Sequence, residues 1–192
     1  MPSQQQPLSA LAEVRTGYSF RGALPENLEG SLRVLQIKDV RHQTVIEPGA
    51  LTKINWDART KPPLLSVEDI AVIARGESNR AAIFLSKEQV VATSQLFIIK
   101  VRMKSILPEY LCWVINLPQS QRFLAGGSSG TNIQAVSKAA LLDMPIPVPS
   151  LDVQHKLIAL QKVWDEEDQL IARLQKNREQ MLKGIYQQLI EG

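Results

Sequence analysis

The side chains able to do acid–base or covalent chemistry are few in this sequence, and they are badly spaced for it. The histidines, His42 and His155, stand far apart, and the one cysteine is Cys112. Together they offer no zinc-ligand spacing. His155 falls in the first turns of a long helical pattern, where it reads as a solvated face residue rather than a base. The segment GYSFRG (17–22) holds two glycines at the separation of a phosphate-binding loop, but Ala23 follows where that loop requires a lysine. GGSSG (126–130) could bend its N–H groups around a phosphate, and the plainer reading is a surface loop. Glu68 and Asp69 are adjacent, so in a strand they would point to opposite faces. No catalytic or metal-binding constellation forms, and none is expected: the chain reads as a non-enzyme that binds no cofactor of its own.

The elements that would carry any binding surface are easier to read. With 192 residues the chain suits one globular domain plus an appendage. SLRVLQI (31–37), EDIAVIAR (68–75), AAIFLS (81–86) and QLFIIKV (95–101) have strand character, separated by turn chemistry at Pro48-Gly49, Pro62-Pro63 and Gly76 with Asn79. Short helices are expected from Pro108 and Pro118, each at a favourable first-turn position, and an apolar segment surrounds Leu141. Then DMPIPVPS (143–150) alternates prolines with apolar residues. Lacking N–H groups, it can be an edge strand or a polyproline segment, but neither a central strand nor a helix. Tyr18, Phe20, Trp56 and Trp113 read as core residues rather than stacking platforms.

After Ser150, a plausible N-cap, no proline interrupts the chain. Positions 157, 160, 164, 167, 171, 174, 178, 181, 185 and 188 alternate spacings of three and four, and seven of them are apolar: Leu157, Leu160, Trp164, Ile171, Leu174, Met181 and Ile185. About 39 helical residues would extend roughly 58 Å. Such a rod needs another helix to cover its stripe; the alternative is a helix folded back on the head. DEED (165–168) precedes the middle of the stripe, and Arg173, Lys176 and Arg178 follow it. Two copies crossing antiparallel near Ile171 would set acid against base, whereas a parallel pair would set acid beside acid.

Composition places the protein in a reducing cytoplasm. A lone cysteine cannot form an intrachain disulfide, the first residues have no secretory pattern, and no apolar run is long enough to span a bilayer. The first six or so residues are expected to fray. The formal charge of +3 is uneven: residues 33–104 hold 12 basic and 7 acidic side chains, a surplus that could face phosphates.

The order EVRTGYSFRG (13–22), LQIKDV (35–40), SVEDIAVIARG (66–76), TSQLFIIKV (93–101), LPEYLCWVIN (107–116) and GTNIQAVSKAALLDMPIPVPSLDVQHKLI (130–158), followed by the long helix, resembles the specificity subunit of type I restriction–modification systems. The likeness covers nearly the whole chain. It is that of a half-length form, with one target-recognition domain (1–150) and one conserved-region helix (151–192). The resemblance implies an α+β recognition domain and an antiparallel coiled coil. It also implies a homodimer that reads a two-fold-symmetric, interrupted site on double-stranded DNA. The implied partners are methyltransferase subunits, which use S-adenosylmethionine, and endonuclease subunits that can add cleavage; no membrane is involved.

On that reading the candidate DNA contacts are Arg21, Lys38, Arg41 and His42, then Arg75, Asn79 and Arg80, and Ser94 with Gln95. Ser129, Thr131 and Asn132 of the polar loop join them. Arg75, Asn79, Arg80 and Gln95 have the donor and acceptor geometry for guanine or adenine edges. The competing reading is a truncated, specificity-like interaction protein that heterodimerises with another subunit and no longer selects DNA.

Overall fold

A computed structural model describes residues 4–24, 26–56, 60–76, 78–126 and 135–190. The elements, in chain order, are β1 (Gln4–Pro7), α1 (Leu8–Leu11), β2 (Ala12–Thr16), β3 (Leu32–Leu35), α2 (Ile37–Val40), β4 (Thr52–Ile54), β5 (Ile70–Ile73), β6 (Ala81–Ile83), β7 (Val90–Ala92), β8 (Leu96–Val101), α3 (Pro108–Asn116), α4 (Pro118–Gly126), α5 (Lys138–Leu142), β9 (Pro145–Val148) and α6 (Leu151–Ile190). Packing divides them into two units that meet between Gln154 and His155. The expected class, a mixed α/β head followed by a long helix, is the one observed.

The strand positions follow from which faces are apolar. β5 is buried at all four residues and β8 at Leu96–Ile99, because both are central in the antiparallel order β2-β8-β5-β6 and have packed layers on each face. At the edge, β2 alternates instead, burying Ala12 and Val14 while Glu13 stays exposed. One face of this sheet, with Ala71, Ile73, Leu96 and Ile98, shares a core with Leu35 of β3, Val90 of β7 and Val40 of α2. The second sheet has the order β4-β3-β7, with β3 and β7 parallel. Its other face, formed by Leu32, Val34, Ile54 and Val91, is covered not by a helix but by Tyr18, Phe20, Leu24 and Trp56. The Glu68-Asp69 pair lies in a turn before β5. Asp69 is buried, and its Oδ2 accepts from Ser66 N at 2.9 Å and sits 3.6 Å from Arg15 Nη2.

Two helix side chains complete the edge of the first sheet. Asn116, at the end of α3, accepts from Ala81 N at 2.9 Å and donates to Ala81 O at 2.9 Å. Gln121 of α4 accepts from Asn79 N at 3.3 Å and donates to Asn79 O at 3.0 Å. The outward peptide groups of Asn79 and Ala81 are thus satisfied by side chains, and those of Ile83 by backbone, its N donating to Thr44 O and its O accepting from Ile46 N, each at 2.9 Å.

The proline strap is an edge strand. β9 pairs antiparallel with β1, Gln4 opposite Val148 and Gln6 opposite Ile146. Pro145 and Pro147 alternate with these residues, so each missing N–H falls on the side away from β1. The Pro147 carbonyl on that side accepts from the Tyr110 hydroxyl at 3.0 Å. This pairing corrects the expectation of about six frayed residues. Gln4–Pro7 form a strand, because the strap offers them an open edge.

The first turn of α6 is secured within the head by Gln154, which is fully buried. Its Oε1 accepts from Leu107 N at 2.9 Å, and its Nε2 donates to Ser105 O at 2.8 Å and Pro149 O at 2.9 Å. Truncating it leaves one half-buried N–H and two carbonyls without that partner and opens a void at a fully buried side chain. Gln154→Ala is predicted to destabilise the protein by about 1–3 kcal/mol. Gln154→Met, which preserves the volume, should recover little of that loss. Urea denaturation curves of the three proteins measure the difference, and coincident midpoints would show that the amide is dispensable.

Candidate nucleic-acid interface

The chain after β2 approaches another strand so closely that a side chain would not fit. A Cβ on Gly17 would lie 2.1 Å from the Thr93 carbonyl oxygen. Gly17 N donates to Leu96 O at 2.9 Å, Tyr18 N to Ala92 O at 2.7 Å, and Ser94 N to Tyr18 O at 2.8 Å. The β7–β8 turn closes with Leu96 N donating to Thr93 O at 3.0 Å, which leaves Ser94 and Gln95 at its tip. The crossing therefore sets the aromatic segment beside that turn.

Tyr18, Phe20 and Trp56 pack as one cluster, with ring centroids 4.8 to 6.1 Å apart. They are half-buried, so they are partly core, as the sequence reading had them, and partly wall. Tyr18 and Phe20 line a cleft of about 540 Å³ together with Gln36, Lys38, Thr52 and the Thr93–Gln95 turn. Gln36 Nε2 donates to Thr52 Oγ1 at 3.2 Å. Asp39 Oδ2 accepts from Gln36 N at 2.9 Å, and burial holds its carboxyl above the usual range against that hydrogen bond. The Thr93 hydroxyl is buried with no hydrogen-bond partner among the described residues.

The candidate residues separate accordingly. Lys38, Ser94 and Gln95 converge on this cleft, and Arg21 lies in the same segment as its aromatic wall. Lys38 and Gln95 are exposed, as are Arg21, Arg41, His42 and Arg75. Among the described residues, ion pairs engage Arg15 with Asp69, Arg33 with Glu88 and Arg102 with Glu13, so the exposed cations of the candidate set lie outside them. Asn79 must be removed from the readers: it is buried, and its Nδ2 donates to Ile73 O at 3.0 Å. Arg80 is half-buried, with Nε enclosed. Ser129, Thr131 and Asn132 fall outside the described residues. Sequence reasoning missed Gln36, Thr52 and Thr93; the signal for two of them was adjacency, Gln36 standing two residues before Lys38 and Thr93 just before Ser94.

Cys112 is buried in α3, and burial pushes its thiol up to about 12, far from a thiolate at neutral pH. His155 is exposed on α6. No described helix is long and apolar enough to cross a membrane. Considered by itself, α6 exposes its apolar residues: Leu160, Trp164, Ile171, Leu174, Met181 and Ile185 are 44 to 63 % exposed, and Leu157 is half-buried.

Solved structures share this fold. A chain from a study of complex assembly and conformational transition in the type I R-M system superposes with a TM-score of 0.72 at 16% identity, over 98% of this chain and 44% of that one. The HsdS subunit from Thermoanaerobacter tengcongensis matches at 0.66 and 17% identity, over 98% of this chain and 44% of its own. The type I restriction–modification system S subunit from M. genitalium matches at 0.58 and 16% identity, over 92% and 42%. The fold is that of a type I S subunit. The chain spans less than half the length of these S-subunit structures. No family model matches the sequence, and neither does any curated protein.

Within the S-subunit fold, the close crossing at Gly17 sets the cleft wall. Gly17→Ala is predicted to cost about 1–3 kcal/mol through overpacking against backbone that cannot yield. It should also alter the near-ultraviolet circular dichroism of the Tyr18–Trp56 cluster. A variant with the parental melting temperature and spectrum would show that the two strands do not approach this closely.

Proposed function

We propose that this protein is a non-catalytic DNA sequence-specificity subunit of a type I restriction–modification system. The observation that carries the reading is the S-subunit fold, matched over 98% of the chain, head and helix together. The head supplies side chains of the right chemistry: exposed Lys38, Arg21 and Arg41 for phosphates, and Gln95 for a base edge. The chain binds double-stranded DNA and directs methyltransferase subunits, with endonuclease subunits where cleavage is added. S-adenosylmethionine belongs to the methyltransferase, and this chain holds no cofactor.

Two copies pair through α6, antiparallel, and present two heads to a symmetric, interrupted site. The helix's own residues support both direction and register. With a positions at 157, 164, 171, 178 and 185, and d positions at 160, 167, 174, 181 and 188, antiparallel packing sets each a against a partner's d. One register pairs Ile171 with Leu174, Trp164 with Met181 and Leu160 with Ile185, and in that same register Glu167 meets Arg178. The midpoint then falls between Ile171 and Leu174. A parallel pair would instead place Glu167 on Glu167 and Arg178 on Arg178, two like-charge layers inside the seam.

Two experiments test these statements. Coexpressed with the methyltransferase subunit of its system, the protein should direct adenine methylation to one defined interrupted sequence across a genome. Methylation at no defined sequence would overturn the specificity role and favour an interaction protein that no longer selects DNA. For the pairing, Glu167→Arg and Arg178→Glu should each shift the protein toward monomer in sedimentation equilibrium, and the double exchange should restore the dimer. A dimer indifferent to all three would place the contact elsewhere.

A further inference from the structure

We propose that the cleft between the Tyr18–Phe20 wall and the Thr93–Gln95 turn is where the head reads sequence, with Gln95 on a base edge and Lys38 on the neighbouring phosphate. This inference rests on the DNA-specificity reading and narrows it to one place. Three segments from different elements converge there: the chain after β2, the β3–α2 junction and the β7–β8 turn. Each is pinned through its backbone, the first and third by the crossing at Gly17, and the second by Asp39 accepting from Gln36 N. The exposed side chains of Lys38 and Gln95 are therefore free to serve a ligand without supporting the fold.

The chemistry selects a nucleic-acid edge. Gln95 is exposed at the tip of a tight turn and carries a donor and an acceptor side by side, the pattern that matches N6 and N7 of adenine in the major groove. Lys38 is an exposed point charge on the same cleft, suited to a phosphate oxygen. The rival stretch at 75–80 is weaker on the same criteria, because the Asn79 amide serves Ile73 and Arg80 Nε is enclosed. The Tyr18–Phe20 wall, packed on the core of the second sheet, gives the cleft a rigid side, and base reading requires fixed geometry.

The test uses the full chain assembled with its methyltransferase subunits on duplex libraries in which every position of the target is varied. Gln95→Ala should lose roughly 5- to 150-fold discrimination at one base pair of each half-site and retain it elsewhere. Lys38→Ala should weaken binding to all sequences alike and lower the slope of log affinity against log salt by about 1. Unchanged discrimination in Gln95→Ala, with relaxation in Arg75→Ala instead, would overturn the cleft and leave the DNA-specificity role standing. A parental complex with no sequence preference at all would overturn both.

Discussion

A buried peptide group must find a hydrogen-bond partner, and in this head side-chain carboxamides supply partners where strands run out. Three small sheets with short strands leave many open edges. Asn116 and Gln121 cover the start of the outer edge of β6 by matching a donor and an acceptor to the N–H and C=O of Ala81 and Asn79, and the 44–46 segment pairs with Ile83 beyond them. Gln154 does the same for the chain between β8 and α3, where no strand is available. Each amide imitates a peptide unit, so an edge that would otherwise recruit another chain is occupied from within. Leaving one such N–H unpaired costs about 1–3 kcal/mol, a large share of the stability of a domain this size.

The strap obeys the same constraint from the other direction. Prolines at every second position remove N–H groups from one side of β9, so only the side facing β1 can pair as a strand. The carbonyls on the proline side remain, and Tyr110 answers the one at Pro147. Burial pushes the pKa of the Tyr110 hydroxyl above its ordinary range, so the group, already protonated at neutral pH, remains a donor into more alkaline solution. Pro149 O is taken by Gln154. From Pro145 through the first turn of α6 the chain is thus held by partners on β1, α3 and itself. A rigid extended segment ahead of a long helix makes physical sense in these terms: it begins the helix from backbone that cannot fray.

What the sequence showed of this arrangement followed chemical distinctness. Continuous apolar runs marked the central strands β5 and β8, because burial on both faces leaves no alternation to misread. The prolines marked the strap, since their chemistry permits few structures. The short strands β1, β4 and β7 were illegible: three or four residues carry no period, and their pairing is decided by distant segments. Asn79 shows the same limit at the candidate site. A carboxamide suited to an adenine edge is equally suited to a peptide group, and residue type cannot say which it meets; Asn79 meets Ile73, while Gln95 stays exposed. The aromatic cluster was half legible, because covering a sheet face and walling a cleft require the same residues.

This division of labour bears on how such a head can change what it contacts. The backbone positions around the cleft are set by interactions that do not use the cleft's exposed side chains: the Gly17 crossing, the Thr93–Leu96 turn and the hydrogen bonds at Gln36. Lys38 and Gln95 make no buried contact whose loss would open the core, unlike Asn79, whose replacement would leave Ile73 O unpaired. Surface substitutions of that kind typically move stability by no more than about 0.5 kcal/mol, well below the cost of breaking a buried amide pair. The fold therefore tolerates variation at the exposed positions of the cleft and resists it one layer below. Beneath the exposed positions of the cleft, the close backbone crossing at Gly17 and the hydrogen bonds at Gln36 hold the chain in place.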